Sequence, residues 1–136
     1  MRISTISYSI VAILLLSQIS VFAGGMGKWW KNKEIVNKLQ LTTVQVNKIE
    51  QIFNLHKAKL SETKKSIIQK QNELNQKLKD PNADKQEIAQ LADQTDLLKI
   101  QLGKIHRNMR LEIREVLSPD QRTLLYDEWS NRKHKK

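Results

Sequence analysis

From Thr43 to Asp80 the chain has neither proline nor glycine, and its apolar or small residues recur at steps of three and four. They are Val46, Ile49, Phe53, His56, Leu60, Thr63, Ile67, Gln71, Leu74 and Leu78. That alternation averages about 3.5 residues, the repeat that holds one stripe of a long helix against a neighbour. Asp80-Pro81-Asn82-Ala83-Asp84 interrupts it. A second seam then runs through Ile88, Leu91, Thr95, Leu98, Leu102, Ile105, Met109, Glu112 and Val116, with Asp84 placed to cap its helix. Two helices of about 35 residues, each about 50 Å long, joined by so short a break fold back on each other. The spacing predicts an all-α chain built on a long antiparallel helical hairpin.

Both ends of the hairpin's open side carry the same pattern, L-[ST]-x-x-Q. Its copies are Leu41-Thr42-Thr43-Val44-Gln45 and Leu117-Ser118-Pro119-Asp120-Gln121. A hydroxyl residue at the N-cap accepts from the N3 amide while a Gln at N3 reaches back to the N-cap amide. Pro119 suits the first helical position, and Asp120 suits the positive helix end. The motif residues Leu41, Thr42, Gln45, Leu117, Ser118 and Gln121 are therefore expected to hold helix junctions. Short helices flank the hairpin, one over Lys31 to Gln40 and one after Ser118.

The amino terminus reads as an export signal. Arg2 is a short positive region, Ile6 to Phe22 is largely apolar, and Val21-Phe22-Ala23 is a small-residue cleavage pattern. Cleavage after Ala23 divides the chain into a signal peptide, residues 1–23, and one domain, residues 24–136. The stretch is diluted by Ser7, Ser9, Ser17, Gln18 and Ser20 and is marginal as a membrane span, so no span is expected after cleavage. The chain has no Cys, which removes disulfides, thiolate metal sites and a lipid anchor on cysteine.

With 24 basic and 14 acidic residues, the chain carries a formal net charge of +10. Such a surface calls for an anionic partner. An exported chain rarely meets nucleic acid, so acidic protein segments or anionic headgroups are the expected class. The basic residues Lys104, Arg107, Arg110 and Arg114 drift along one side of the second long helix beside Ile105 and Met109. Lys57, Lys64 and Lys65 stand at a comparable level on the first. Lys104, Arg107, Met109, Arg110 and Arg114 are the expected contacts for unfolded or misfolded chains, by long-range attraction followed by weak apolar contact. One hairpin buries a stripe rather than a thick core, and Thr63, Gln71 and Thr95 interrupt that stripe. A homodimer with the long helices of two chains packed together is expected. Trp29, Trp30, Tyr126 and Trp129 cluster near the two short helices and are expected to plug the bundle end.

The export signal, the helical hairpin, the paired L-[ST]-x-x-Q copies, Trp29-Trp30 before the first helix and the run Leu111-Glu112-Ile113-Arg114-Glu115-Val116-Leu117-Ser118-Pro119-Asp120-Gln121-Arg122 together resemble the Spy/CpxP, or LTXXQ, family of periplasmic proteins. That family merges with zinc-resistance-associated and periplasmic heavy-metal sensor proteins. The resemblance covers nearly all of residues 28 to 130. It implies a cradle-shaped dimer in the periplasm that acts as an ATP-independent chaperone, damps an envelope-stress signalling system through an envelope sensor protein, or senses metal.

For metal, the candidates are His56 and His106. They lie 25 positions before and after Pro81, so a symmetric hairpin brings them to one level. Both occupy or flank seam positions, and a site would need Glu50, Glu112, Met109 or water to complete it for zinc or another divalent ion. His134 is the only other histidine. No metal site or other cofactor is assigned. Enzymatic function finds no support either, since no nucleophile with a base, Gly-rich phosphate loop or paired carboxylates is present.

Overall fold

The computed structural model describes residues 27–133; the expected signal peptide and His134 lie outside these residues. The chain divides into two units, Met1–Gln40 and Leu41–Lys136. Within the first, a 3-10 turn at Trp29–Lys31 precedes helix α1, Lys33–Lys38. Its start is set by Asn32, whose Oδ1 accepts from the amides of Glu34 (2.9 Å) and Ile35 (3.4 Å). Its end falls at Gln40, which takes a left-handed φ of 51°, a conformation that stops a helix and costs a residue with a Cβ. The helix is thus shorter at both ends than hydrophobic spacing alone predicts. Trp30, Ile35 and Leu39 are buried, and Trp29 and Trp30 meet edge to face, 5.7 Å between centroids.

The second unit holds α2, Thr43–Lys79, α3, Lys85–Val116, and α4, Pro119–Lys133. The two long helices match the sequence expectation to within a residue or two. They pack along their length, and their direction is fixed by paired side chains. Gln45 Nε2 donates to the carbonyl of Val116 (3.0 Å), His56 Nε2 lies 3.1 Å from Glu112 Oε1, and Lys77 Nζ lies 2.7 Å from Glu87 Oε2. Residue numbers rise on one helix as they fall on the other, so the pair is antiparallel.

The seam is close to the expected one. Ile49, Leu60, Thr63 and Ile67 of α2 are buried, as are Thr95, Ile105, Met109 and Ile113 of α3. Both threonines answer their own hydroxyls locally: Thr63 Oγ1 donates to the carbonyl of Lys59 and Thr95 Oγ1 to that of Leu91, each at 2.8 Å. A buried hydroxyl bonded to its own helix needs no partner across the interface. Two positions depart from the repeat. Ile113, not Glu112, is the buried residue near the end of α3, and Leu78 is exposed where α2 reaches the turn. Asp84 makes no side-chain cap. Asp80 instead organises the break, its Oδ1 accepting from the Asn82 amide at 2.9 Å. An acidic side chain that closes a turn over two residues gives the chain its reversal before α3 begins.

Among the described residues no helix is long and apolar enough to cross a membrane. Gly103 lies in the middle of α3, and a methyl group built on it meets nothing within 4 Å. Replacing it with alanine removes the excess backbone entropy that glycine loses in a helix. Gly103→Ala is expected to raise stability by about 0.5 to 1 kcal/mol, read from urea denaturation followed by circular dichroism.

Candidate functional site: the motif junction and the basic flank

The two L-[ST]-x-x-Q copies meet. In the first, the Gln45 amide donates to Thr42 Oγ1 (3.1 Å) and the Thr42 amide donates to Gln45 Oε1 (3.1 Å). In the second, the Gln121 amide donates to Ser118 Oγ (3.2 Å) and the Ser118 amide donates to Gln121 Oε1 (2.9 Å). Both are capping boxes, as the spacing predicts. The two glutamines then bond to each other: Gln45 Nε2 donates to Gln121 Oε1 (2.8 Å) and Gln121 Nε2 donates to Gln45 Oε1 (3.1 Å). Each Oε1 accepts both from its own N-cap amide and from the other glutamine, and Gln45 Nε2 uses its second hydrogen on the Val116 carbonyl. A carboxylate in place of either amide has no hydrogen to return, so the reciprocal pair requires Gln at both positions.

This junction joins the start of α2, the end of α3 and the start of α4 at one point. Leu117 is buried there, Leu41 is half-buried, and Thr42 and Ser118 are exposed. The sequence pointed to each cap but not to the contact between them. The signal was available, because two motifs at opposite ends of an antiparallel pair lie at the same end of the bundle. Arg122 is a further participant that the sequence reading passed over. Its Nε donates to the Arg114 carbonyl (2.9 Å) and its Nη2 lies 3.3 Å from Glu115 Oε2.

The expected client contacts are divided by the structure. Met109 is 2% exposed and belongs to the seam, which removes it as a contact for partners. Lys104, Arg107, Arg110 and Arg114 are all exposed, yet they do not form one stripe. At about 100° per residue, Arg110 turns toward the groove beside α2 while Lys104 and Arg107 turn outward. His106 marks the groove. Burial holds its imidazole below the ordinary value of 6.5, and the charges of Lys64 on α2 and Arg110 on α3 lower it further. Cations from both long helices therefore converge there. Among the described residues no ion pair holds Lys57, Lys64 or Arg110. Arg114 is tempered by Glu115, 3.0 Å away.

The two histidines do not meet as a symmetric turn predicts. His56 pairs with Glu112, six residues beyond His106 on α3 and so about 9 Å along the axis. His56 and Glu112 supply two donors, whereas a structural zinc takes four. Among the described residues no group of three His, Cys, Asp or Glu comes together. On α4, Tyr126 is 69% and Trp129 36% exposed.

The family described as heavy-metal resistance matches residues 36–123, from α1 through both long helices into the first turn of α4. That stretch is more than half of the chain, and the chain belongs to this family. No curated protein and no solved structure matches it.

Two outcomes are expected. Gln121→Ala should lower stability by about 1 to 3 kcal/mol through lost hydrogen bonds to half-buried groups. A double-mutant cycle with Gln45→Ala should give a coupling of about 0.5 to 3 kcal/mol in chemical denaturation. The second outcome concerns acid. His106 binds its proton less readily folded than unfolded, so the unfolded chain takes up more protons between pH 6.5 and the lower folded value. Its contribution is complete above pH 6.5 and is lost as the pH falls through that window. The melting temperature of His106→Gln should therefore fall less between pH 7 and 5 than that of the parent.

Proposed function

We propose that the protein is an ATP-independent chaperone of the periplasm that captures unfolded or misfolded envelope proteins under stress, through the basic flank between α2 and α3. The observation that carries this reading is that Lys64 on α2 and Arg110 on α3, exposed cations on either side of half-buried His106, have no ion-pair partner among the described residues. Such a flank holds a positive potential that its own chain does not neutralise, and the formal net charge of +10 adds to it. An exposed apolar side chain lies alongside: Ile68, four residues on from Lys64, shares its side of α2. An unfolded chain with acidic runs is drawn in over a Debye length of about 8 Å and then held by weak apolar contact. No nucleotide or chemical step is needed. Membership of the heavy-metal resistance family supports the reading through that family's resemblance to helical periplasmic proteins.

A second reading, a metal-responsive regulator of an envelope sensor protein, is favoured by the family's description. Among the described residues its candidate donors are the pair His56 and Glu112.

The test is suppression of aggregation of an unfolded model protein, at low and high salt and with chelator or zinc. Replacing Lys64, Arg110 and Arg114 together by Gln should slow client association by about tenfold or more, and added salt should weaken the parent in the same direction. Undiminished suppression by the triple variant rejects the basic flank. A zinc-dependent change in conformation that is lost in His56→Ala replaces the chaperone reading with the regulatory one.

A further inference from the structure

Nothing in its own chain explains why residue 103 is glycine. Gly103 lies in mid-helix, where glycine is destabilising relative to alanine, and a Cβ built on it meets nothing within 4 Å. No packing contact therefore requires the missing side chain. What a bare backbone does permit is the close approach of a ligand.

The surroundings of Gly103 define the chemistry of that ligand. On α3, Lys99 and Arg107 stand four residues to either side of it, and Arg110, seven residues on, lies about 20° from it around the helix. Interpolated between the His56–Glu112 and Lys77–Glu87 contacts, Gly103 is level with Ser61 to Lys65 of α2. Lys57, Ser61 and Lys64 follow steps of four and three there, all exposed, on the side of α2 from which Lys64 acts on His106. The gap at Gly103 is thus bordered by cations from both long helices. Among the described residues Lys99 is held by Asp96 at 3.4 Å, while no ion pair holds Lys57, Lys64, Arg107 or Arg110.

We propose that the notch at Gly103 binds an inorganic oligophosphate, laid against the α3 backbone between Arg107 and Arg110 on one helix and Lys57 and Lys64 on the other. The guanidinium fork matches phosphate oxygens two at a time, which favours phosphate where two arginines lie within a turn of each other. A chain of linked phosphates carries charge on every group and no side chains, so it fits a notch one side chain wide. An acidic peptide carries its charge at the ends of side chains, which hold its backbone away from the floor. A single phosphate is too small to reach cations on both helices. The inference rests on the basic flank of the proposed function, but anion binding is measured with no client present, so either can fail without the other.

Titration calorimetry of the purified protein with tripolyphosphate should show saturable binding that weakens with added salt, and orthophosphate should bind about tenfold or more weakly. Gly103→Gln should lower tripolyphosphate affinity by about tenfold while raising the melting temperature, because it fills the notch and removes a helix-interior glycine. Lost binding in a more stable protein is not misfolding. Lys64→Gln should cost about fivefold or more, whereas Lys59→Gln, the same charge removed about 140° away around α2, should cost less than about twofold. In proton NMR the His106 titration, held low by burial and by Lys64 and Arg110, should move upward on binding, since the anion offsets those charges. Absence of saturable binding, parent-like affinity in Gly103→Gln, equal losses in Lys64→Gln and Lys59→Gln, an unmoved His106 titration, or a poly-glutamate peptide that binds as tightly as tripolyphosphate overturns the proposal.

Discussion

The reciprocal bond between Gln45 and Gln121 is the contact that fixes where three helix ends meet. Long helix pairs are held laterally by a stripe of apolar side chains, but a stripe constrains sliding poorly when its members are interchangeable aliphatics. The glutamine pair supplies what the stripe lacks. Each amide closes its own capping box and the other's valence at once, so the start of α2 and the start of α4 cannot shift separately without leaving half-buried donors and acceptors unmet. The second donor of Gln45 on the Val116 carbonyl ties in the last turn of α3.

Once those ends are fixed, the rotation of α3 distributes its side chains into three sectors with different chemistry. One is the seam, where Ile105, Met109 and Ile113 are buried. Beside it lies the flank with His106 and Arg110, whose positive field is shared with Lys64. The third faces outward and carries Leu97, Ile100 and Leu111 with charges separated along the axis. A thin two-helix body has more surface than a globular domain of equal length, and here that surface is differentiated rather than uniformly charged.

The long elements were legible in the sequence because a 3.5-residue repeat over ten turns admits few other folds, and because Thr42 and Ser118 mark starts that the structure keeps. The details that escaped lie where side chains compete locally. Asn32 and Gln40 trim α1 through a cap and a left-handed residue, and Asp84, expected to cap α3, makes no side-chain cap while Asp80 closes the turn before it. The basic stripe was read as continuous because four residues at steps of three and four look collinear in sequence. In a helix three steps advance by about 300° and four by about 400°, which is enough to send Arg110 to the groove and Arg107 outward. The equal spacing of His56 and His106 about Pro81 does not bring them together. His56 reaches Glu112 instead, six residues beyond His106 on α3.

The turn at Asp80 also sets the order in which the long pair can assemble. Lys77 and Glu87 are ten residues apart, His56 and Glu112 fifty-six, and Gln45 and Gln121 seventy-six. Bringing distant groups together directly costs more chain entropy than extending an existing contact by one turn. Assembly therefore propagates from the turn toward the junction, with each seam residue shortening the loop that the next must close. The amide pair forms at the end of that progression and is the first long-range contact exposed to fraying from the open end, so the state of the junction reports whether the whole pair has closed.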